Sequence, residues 1–407
     1  MAGPLSHLRV LDMSRILAGP WASQNLADLG AEVIKIERPG HGDDTRAWGP
    51  PFLKNAEGGE TSETAYFLCA NRGKKSLTVD IATEDGRSII VELVRQSDVL
   101  IENFKTGDLS RYGLDYDTLK VINPQLVYCS ITGFGQNGPF KSQAGYDFMI
   151  QGTGGLMSLT GSPEGLNGGE PMKVAVPVAD LMTGMYATVA IMAALTRRDR
   201  SGGGEHIDVA LLDCQVSMLS NQAQNFLIAQ TVPKRYGNSH PNVVPYQAFP
   251  TADGHLILAV GNDYQFSKFC EAAGVPWLAK DQRFLTNAAR VCHREELIPE
   301  MVALFTQRGT DAWMDLLSPI GVPCGPINRL DQTFDHPQVR HRHMKIEMDH
   351  PLAGKVPLVA NPIHFVEHPI EYQLPPPLLG QHTVELLRDL LGMSEERIAT
   401  LRESAIV

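Results

Sequence analysis

The stretch VPVADLMTGMYATVAIMAAL, residues 176–195, is apolar or small at nearly every position and carries one carboxylate, Asp180. An acid at the head of such a run has two uses. An aspartate can cap a helix, because its oxygen accepts a bond from a free first-turn N–H. The basic cluster TRRDR at the other end of the run would complement the dipole of that helix. The same carboxylate could instead be a nucleophile, kept ionised by the positive helix end and shielded by apolar walls. Residue type alone leaves both uses open for Asp180.

Few other reactive patterns compete with it. The six cysteines, Cys69, Cys129, Cys214, Cys270, Cys292 and Cys324, are scattered without CxxC or metal-type spacing, which implies reduced thiols and a cytoplasmic setting. No HExxH occurs, and the His-rich HPQVRHRHM reads as a solvated or capping segment, so no metal is expected. No GxGxxG follows the first strand and no GxxxxGK[ST] occurs, which weakens NAD and ATP readings. A net charge of −11 over 407 residues argues against a nucleic-acid partner, yet permits a local basic pocket for an anionic ligand. The start, MAGPLSHLRVLDMSR, has no apolar signal core, and the run around Asp180 is broken by Thr183 and Gly184, so no membrane span is expected.

The elements that must position Asp180 read as alternating strands and helices. LRVLDMS, AEVIKIERP, KKSLTVDI, DVLIENF and LVYCSITGFG have strand character, with helices in AGPWASQNLADLG, EDGRSIIVELVRQS and LDYDTLKVINPQ. That order predicts a mostly parallel sheet with helices on both faces. Ligands of such sheets sit beyond the carboxyl ends of the strands. There the chain places SRILAGP, IERPGHGDDTR, ENFKTGDLSRYG and TGFGQNGPF, rich in Gly, Arg, Lys and Asn, which suits a phosphate-bearing ligand. IDVALLDCQVSMLSNQAQNFLIAQ reads as a strand then a helix. NVVPYQAFPTADGHLILAVGND reads as a hairpin around the Asp253–Gly254 turn, and helices follow as in a smaller α+β domain. After VPCGPINRL the chain is Pro-rich, with strand-like KVPLVANPIHF and the amphipathic VELLRDLLG. A connection this long suggests a segment returning to the first domain or reaching a partner subunit.

In combination and order, VLDMSRILAGP, GAEVIKIERPGHGDDTR, NRGKKSLTVD, VLIENF, GFGQNGPF, AGYD, VADLMTG, VPCGPI and PPLLGQHT resemble the class III CoA-transferases, from about residue 5 to the C-terminus. GDDTRAWGPPF, AGYD, VPYQAF and LPPPLLGQHT are most similar to its dicarboxylate-directed branch, with succinyl-CoA and glutarate as implied donor and acceptor. The resemblance implies a Rossmann-like large domain, a smaller α+β domain and two ring-shaped chains interlocked as a homodimer. Residues 1–210 would open the large CoA-binding domain, 211–240 form a linker helix, 241–328 the small domain, and 329–407 a linker and tail returning to the large domain. The resemblance makes Asp180 the catalytic nucleophile, acting through anhydride and aspartyl-CoA thioester intermediates. CoA thioesters enter as substrates, with no tightly bound cofactor. The implied CoA-binding residues are Leu17, Ala18, Arg38, Val79, Asp80, Ile81, Ala82, Asn103, Phe104, Lys105, Arg111, Ala144, Gly145, Tyr146 and Asp147. Arg15, Arg72, Lys74 and Lys75 are basic additions of the type that phosphates call for.

Departures narrow the choice. Formyl-CoA transferases carry His where Arg15 stands and Gln where Leu17 stands. Resembling α-methylacyl-CoA racemases carry His where Tyr146 stands, and a tyrosine is a poor base at neutral pH. A carnitine-type or formyl/oxalate-type transferase remains the alternative, with a racemase behind it. Candidate cations for the far carboxylate of an acceptor are Arg46, Lys173 and His240. Oxyanion donors are sought among helix-start amides and the loops QGTGG and VGND.

Overall fold

A computed structural model describes residues 3–407. The chain divides into two compact units. The first holds residues up to 156, then 174–228 and 338–407; the second holds 157–173 and 229–337. Residues 157–173 thus pack with the second unit, although the sequence reading ran the large domain unbroken to 210. Residues 211–228, read as part of a linker, pack with the first.

The first unit is built on a six-stranded parallel sheet. Its strands are β1 (Arg9–Asp12), β2 (Glu32–Glu37), β3 (Lys74–Thr78), β4 (Val99–Glu102), β5 (Val127–Thr132) and β6 (Glu205–Ala210), in spatial order β3-β2-β1-β4-β5-β6. Every residue of β4 and β5 is buried, as expected where helices cover both faces of a parallel sheet. One face packs on α1 (Ala18–Asp28) and on the long helix α5 (Val178–Ser201). The other packs on α2 (Glu84–Arg95), α3 (Tyr116–Ile122) and C-terminal residues Leu386, Leu387, Ile398 and Leu401. The sequence fixes these starts locally: Thr83 accepts from the Gly86 amide at 3.0 Å and Asp115 from the Thr118 amide at 3.2 Å. The order reverses between β1 and β4, which makes their carboxyl ends the place for a ligand.

By length and composition α5 could cross a membrane. Its buried face, Ala179, Asp180, Thr183, Gly184, Ala187 and Ile191, makes it a core helix of this unit. Gly184 is required there, because a Cβ at that position would stand 2.7 Å from the Ala18 carbonyl oxygen on α1.

Beneath the sheet's carboxyl ends lies a cluster of fully buried charges. Lys74 Nζ meets Asp12 at 3.1 Å and also bonds Asn71 at 2.9 Å and the Pro20 carbonyl at 3.0 Å. Lys35 Nζ meets Asp43 at 2.9 Å, both without exposure. Asp12 also accepts from the Ser14 amide at 3.0 Å, from the Ser14 hydroxyl, and from Ser23 at 2.5 Å.

In the second unit Tyr246–Pro250 and His255–Ala259 form an antiparallel hairpin with its turn at Asp253–Gly254, as the sequence implies. Cys324–Pro326 pairs beside it. Helices from Asp263–Ala272 to Thr310–Leu317 enclose a core of Phe249, Phe266, Phe269, Phe305 and Trp313.

Removing one member of a buried ion pair leaves the other charge uncompensated, so Asp12→Asn is expected to destabilise the protein by about 3–5 kcal/mol. Urea denaturation checks this, and a midpoint equal to wild type would refute it.

Candidate active site

Asp180 lines a cavity of 260 Å³ at the β1/β4 switch point. The wall is made by the loop after β1 (Arg15, Ile16, Leu17, Ala18), the loop after β4 (Asn103, Phe104, Lys105, Thr106, Asp108), and the segment after β5, including Gly133, Lys141, Ala144, Gly145 and Tyr146. Gly133 and Gly145 stand back to back. A Cβ on Gly145 would lie 2.3 Å from the Gly133 Cα, and one on Gly133 would lie 2.6 Å from the Gly145 Cα. This contact is the physical reason for a glycine in both GFG and AGYD.

Asp180 is not the cap of α5. The helix begins at Val178 after Pro177, which makes no side-chain cap, so Asp180 stands third. The capping oxygen comes from a distant residue: Asp147, at the start of α4 (Asp147–Thr153), accepts from the Ala179 amide at 2.8 Å. Its second oxygen accepts from Gln151 Nε2 at 2.7 Å, and the fully buried Gln151 accepts from the Val174 amide at 2.8 Å. Asp147, Gln151 and Val174 thus clamp the start of the helix that carries Asp180.

The expectation that the helix end keeps Asp180 an ordinary ionised acid is corrected. Burial, and then the like charge of Asp147, push its pKa up to about 7. Asp180 is only 9% exposed, so it loses much of the solvation that stabilises a carboxylate. Glu102, at the end of β4, is also raised to about 7 by burial, and its carboxylate holds the Phe104 amide at 2.8 Å.

The remaining residues singled out by sequence divide into groups. Arg15, Leu17, Ala18, Asn103, Phe104, Lys105, Ala144, Gly145, Tyr146 and Asp180 come together on the cavity wall. Arg38 is exposed just beyond β2, and Val79, Asp80, Ile81 and Ala82 follow β3. Arg111 is exposed and paired with the wall residue Asp108 at 3.0 Å. Arg72 and Lys74 are corrected as phosphate contacts: both are buried, Arg72 on Asp28 at 2.6 Å and Lys74 on Asp12, so neither cation is free for a ligand. Lys75 pairs with Glu385 at 2.9 Å and lies with Arg72 on a different cavity of 800 Å³. Of the acids lining that larger space, Asp28 and Glu32 are held by Arg72, Lys75 and Arg9, and Glu367 and Glu371 lie on its Pro-rich C-terminal side. Arg46 is corrected as an acceptor contact. It is held by Glu37 at 2.8 Å and Glu63 at 3.3 Å beneath the Phe67 ring. Lys173 and His240 belong to the second unit.

Sequence reasoning missed Ile16, Lys141 and Tyr66. Burial, and then the Asp180 charge, raise the Tyr66 phenol to about 12, so it stays a neutral hydroxyl. Its ring stands edge-on to Trp48 at 5.2 Å. Trp48 lay inside a quoted motif, but nothing in ETAYFL marked Tyr66.

The model of CoA-transferase family III matches residues 5–383. The chain belongs to CoA-transferase family III. It is therefore a CoA-transferase, with CoA thioesters as substrates. Over 98% of both chains it is 48% identical to the succinate–glutarate CoA-transferase of Agrobacterium fabrum. It is 43% identical to human succinyl-CoA:glutarate CoA-transferase, over 99% of this chain and 90% of that one. A crystal structure of a CAIB/BAIF family protein from Brucella suis superposes with a TM-score of 0.83 at 48% identity, over 96% of this chain and 100% of that one.

If transfer needs the Asp180 carboxylate ionised, its pKa of about 7 predicts that kcat/KM falls about tenfold per pH unit on the acid side of that value. Asp147→Asn removes the like charge while keeping an acceptor for the Ala179 amide. The acid limb should then move to lower pH. A limb that stays in place or moves up would show that Asp147 does not tune Asp180.

Proposed function

We propose that the enzyme moves CoA from succinyl-CoA to a dicarboxylate of the glutarate class, with Asp180 as nucleophile. The observation that carries the mechanism is a buried carboxylate on the wall of a cavity whose cations, Arg15, Lys105 and Lys141, are exposed. The substrate pair rests on the relatives at 43% and 48% identity. Asp180 attacks the thioester carbonyl, the C–S bond breaks, and CoA thiolate leaves behind an acyl-aspartyl anhydride. The thiolate attacks the aspartyl carbonyl and releases the first acid, leaving an aspartyl-CoA thioester. The acceptor carboxylate attacks that thioester, a second anhydride forms, and the thiolate takes up the new acyl group and frees Asp180. No proton is consumed. The first amides of α1 are the proposed oxyanion donors, supported by Leu17 and Ala18 on the wall and by the lack of a side-chain cap on that helix. Arg15, Lys105 and Lys141 replace Arg46 as the groups for the anionic ends of the substrates. The remaining expected CoA contacts, Arg38, Val79–Ala82 and Arg111, are proposed to follow the nucleotide outside the cavity.

The enzyme is further proposed to be a cytoplasmic, interlocked homodimer. The dimer is supported by the apolar residues that α5 and the following residues expose, Met185, Tyr186, Val189, Val216, Leu227 and Ile228.

Mixing the enzyme in D₂O with succinyl-CoA, a 2-methylacyl-CoA and a panel of acids including glutarate, itaconate, malate, oxalate and carnitine tests the reading. Mass spectrometry should show glutaryl-CoA and no α-deuterium. Deuterated 2-methylacyl-CoA without new thioesters would make the protein a racemase. Asp180→Ala should abolish transfer and leave CoA binding by calorimetry largely intact; full transfer in that variant would remove the nucleophile.

A further inference from the structure

Ile16 has φ +72°, in the left-handed region that a β-branched side chain disfavours. It lies on the cavity wall between Arg15 and Leu17. The backbone around it is gripped by three side chains from elsewhere in the chain. Lys35 Nζ donates to the Ser14 carbonyl at 2.9 Å. Asn103 accepts from the Arg15 amide at 2.9 Å and donates to the Arg15 carbonyl at 2.7 Å. Asp43 accepts from the Ile16 amide with both oxygens, at 3.1 and 3.2 Å. Asp43 and Lys35 are themselves a fully buried ion pair. A disfavoured turn persists only where its surroundings over-determine it, and such turns gather at functional sites.

We propose that Asp43 and Lys35 are positioning residues for CoA transfer: they hold Ile16 in its left-handed turn, which sets Arg15 on one side and Leu17 and Ala18 on the other against the acyl-CoA. This rests on the assignment of the Asp180 cavity as the transfer site. Neither residue touches substrate. Both act through the backbone of residues 14–16.

The test uses the full-length enzyme, with kcat and KM for succinyl-CoA and Tm measured together. Asp43→Asn should lower kcat/KM about tenfold or more, because it weakens the hold on a strained turn. Adding Ile16→Gly to Asp43→Asn should recover most of that activity, since glycine adopts positive φ without a side-chain penalty. Tm should remain well below wild type, because the ion pair with Lys35 is still broken. Activity that does not recover, or that recovers only together with Tm, overturns the proposal. Should Asp43→Asn fail to fold, Ile16→Pro decides alone. Proline fixes φ near −65° and removes the amide that Asp43 holds, so about a hundredfold loss of kcat/KM is expected with CoA thioesters. Near-wild-type transfer in Ile16→Pro, with Asp180→Ala inactive, sinks the positioning role only. Transfer surviving in Asp180→Ala sinks the assignment of the cavity.

Discussion

The site depends on charges that have been taken out of water. Asp12, Lys74, Lys35 and Asp43 lie fully buried under the carboxyl ends of β1 and β2. Each would be costly alone, and together they are tolerable only in their present geometry. Burial would raise Asp12, but the Lys74 and Lys35 ammonium groups win and hold its pKa down to about 2. Lys74 goes the other way. Burial outweighs Asp12 and pulls it to about 8, which still leaves it largely charged at neutral pH. The network has one main outlet, the loop that leaves β1, whose Ser14 carbonyl and Ile16 amide end on Lys35 and Asp43. The fold thereby turns electrostatic cost into a fixed backbone at the place where a parallel sheet binds its ligands.

Asp180 is fixed by a second, separate device. The oxygen that satisfies the start of α5 is lent by Asp147, which leaves the Asp180 side chain to the cavity. The same loan brings a second negative charge near the first, and this opposes ionisation of Asp180. A carboxylate near pH 7 still has about half its molecules ionised at neutrality, so the cost in rate is small. In return the group is poorly solvated, and in the proposed cycle a thiolate restores it without any proton transfer.

How much of this could be read in advance follows from the range of the interactions. The parallel sheet was legible because β4 and β5 are unbroken buried runs and because Thr83 and Asp115 cap helices within their own few residues. The motifs around Asp180 singled it out, and the structure places it on the cavity wall. Its role as a cap was misread, since the real cap bonds an amide 32 positions away in sequence and nothing local announces it. Arg46, Arg72 and Lys74 were misread for a related reason. A cation waiting for a phosphate and a cation buried on a carboxylate have the same letter, and only tertiary partners such as Glu37, Asp28 and Asp12 tell them apart. Ile16 gave no signal at all, because an isoleucine is the last residue that pattern reading would put at positive φ.

The placement of charge around the cavity also bears on why an enzyme with a net charge of −11 suits a polyanionic substrate. Its exposed wall residues Arg15, Lys105 and Lys141 are cations, whereas the buried groups Asp180 and Glu102 are acids. Local cations at an opening can outweigh a distant negative total, because exposed charges more than about 10 Å apart are largely screened at moderate salt. Phosphates are drawn to the exposed cations and repelled from the buried acids. A thin neutral arm carries no such penalty, which supports the proposed approach of a thioester to Asp180. In the proposed cycle the same gradient disfavours a free acceptor carboxylate near Asp180 until the aspartate is covalently neutralised, finally as its CoA thioester. That favours an order in which the acyl-CoA loads first and the second acid enters only once the aspartate has become an ester-like, uncharged group.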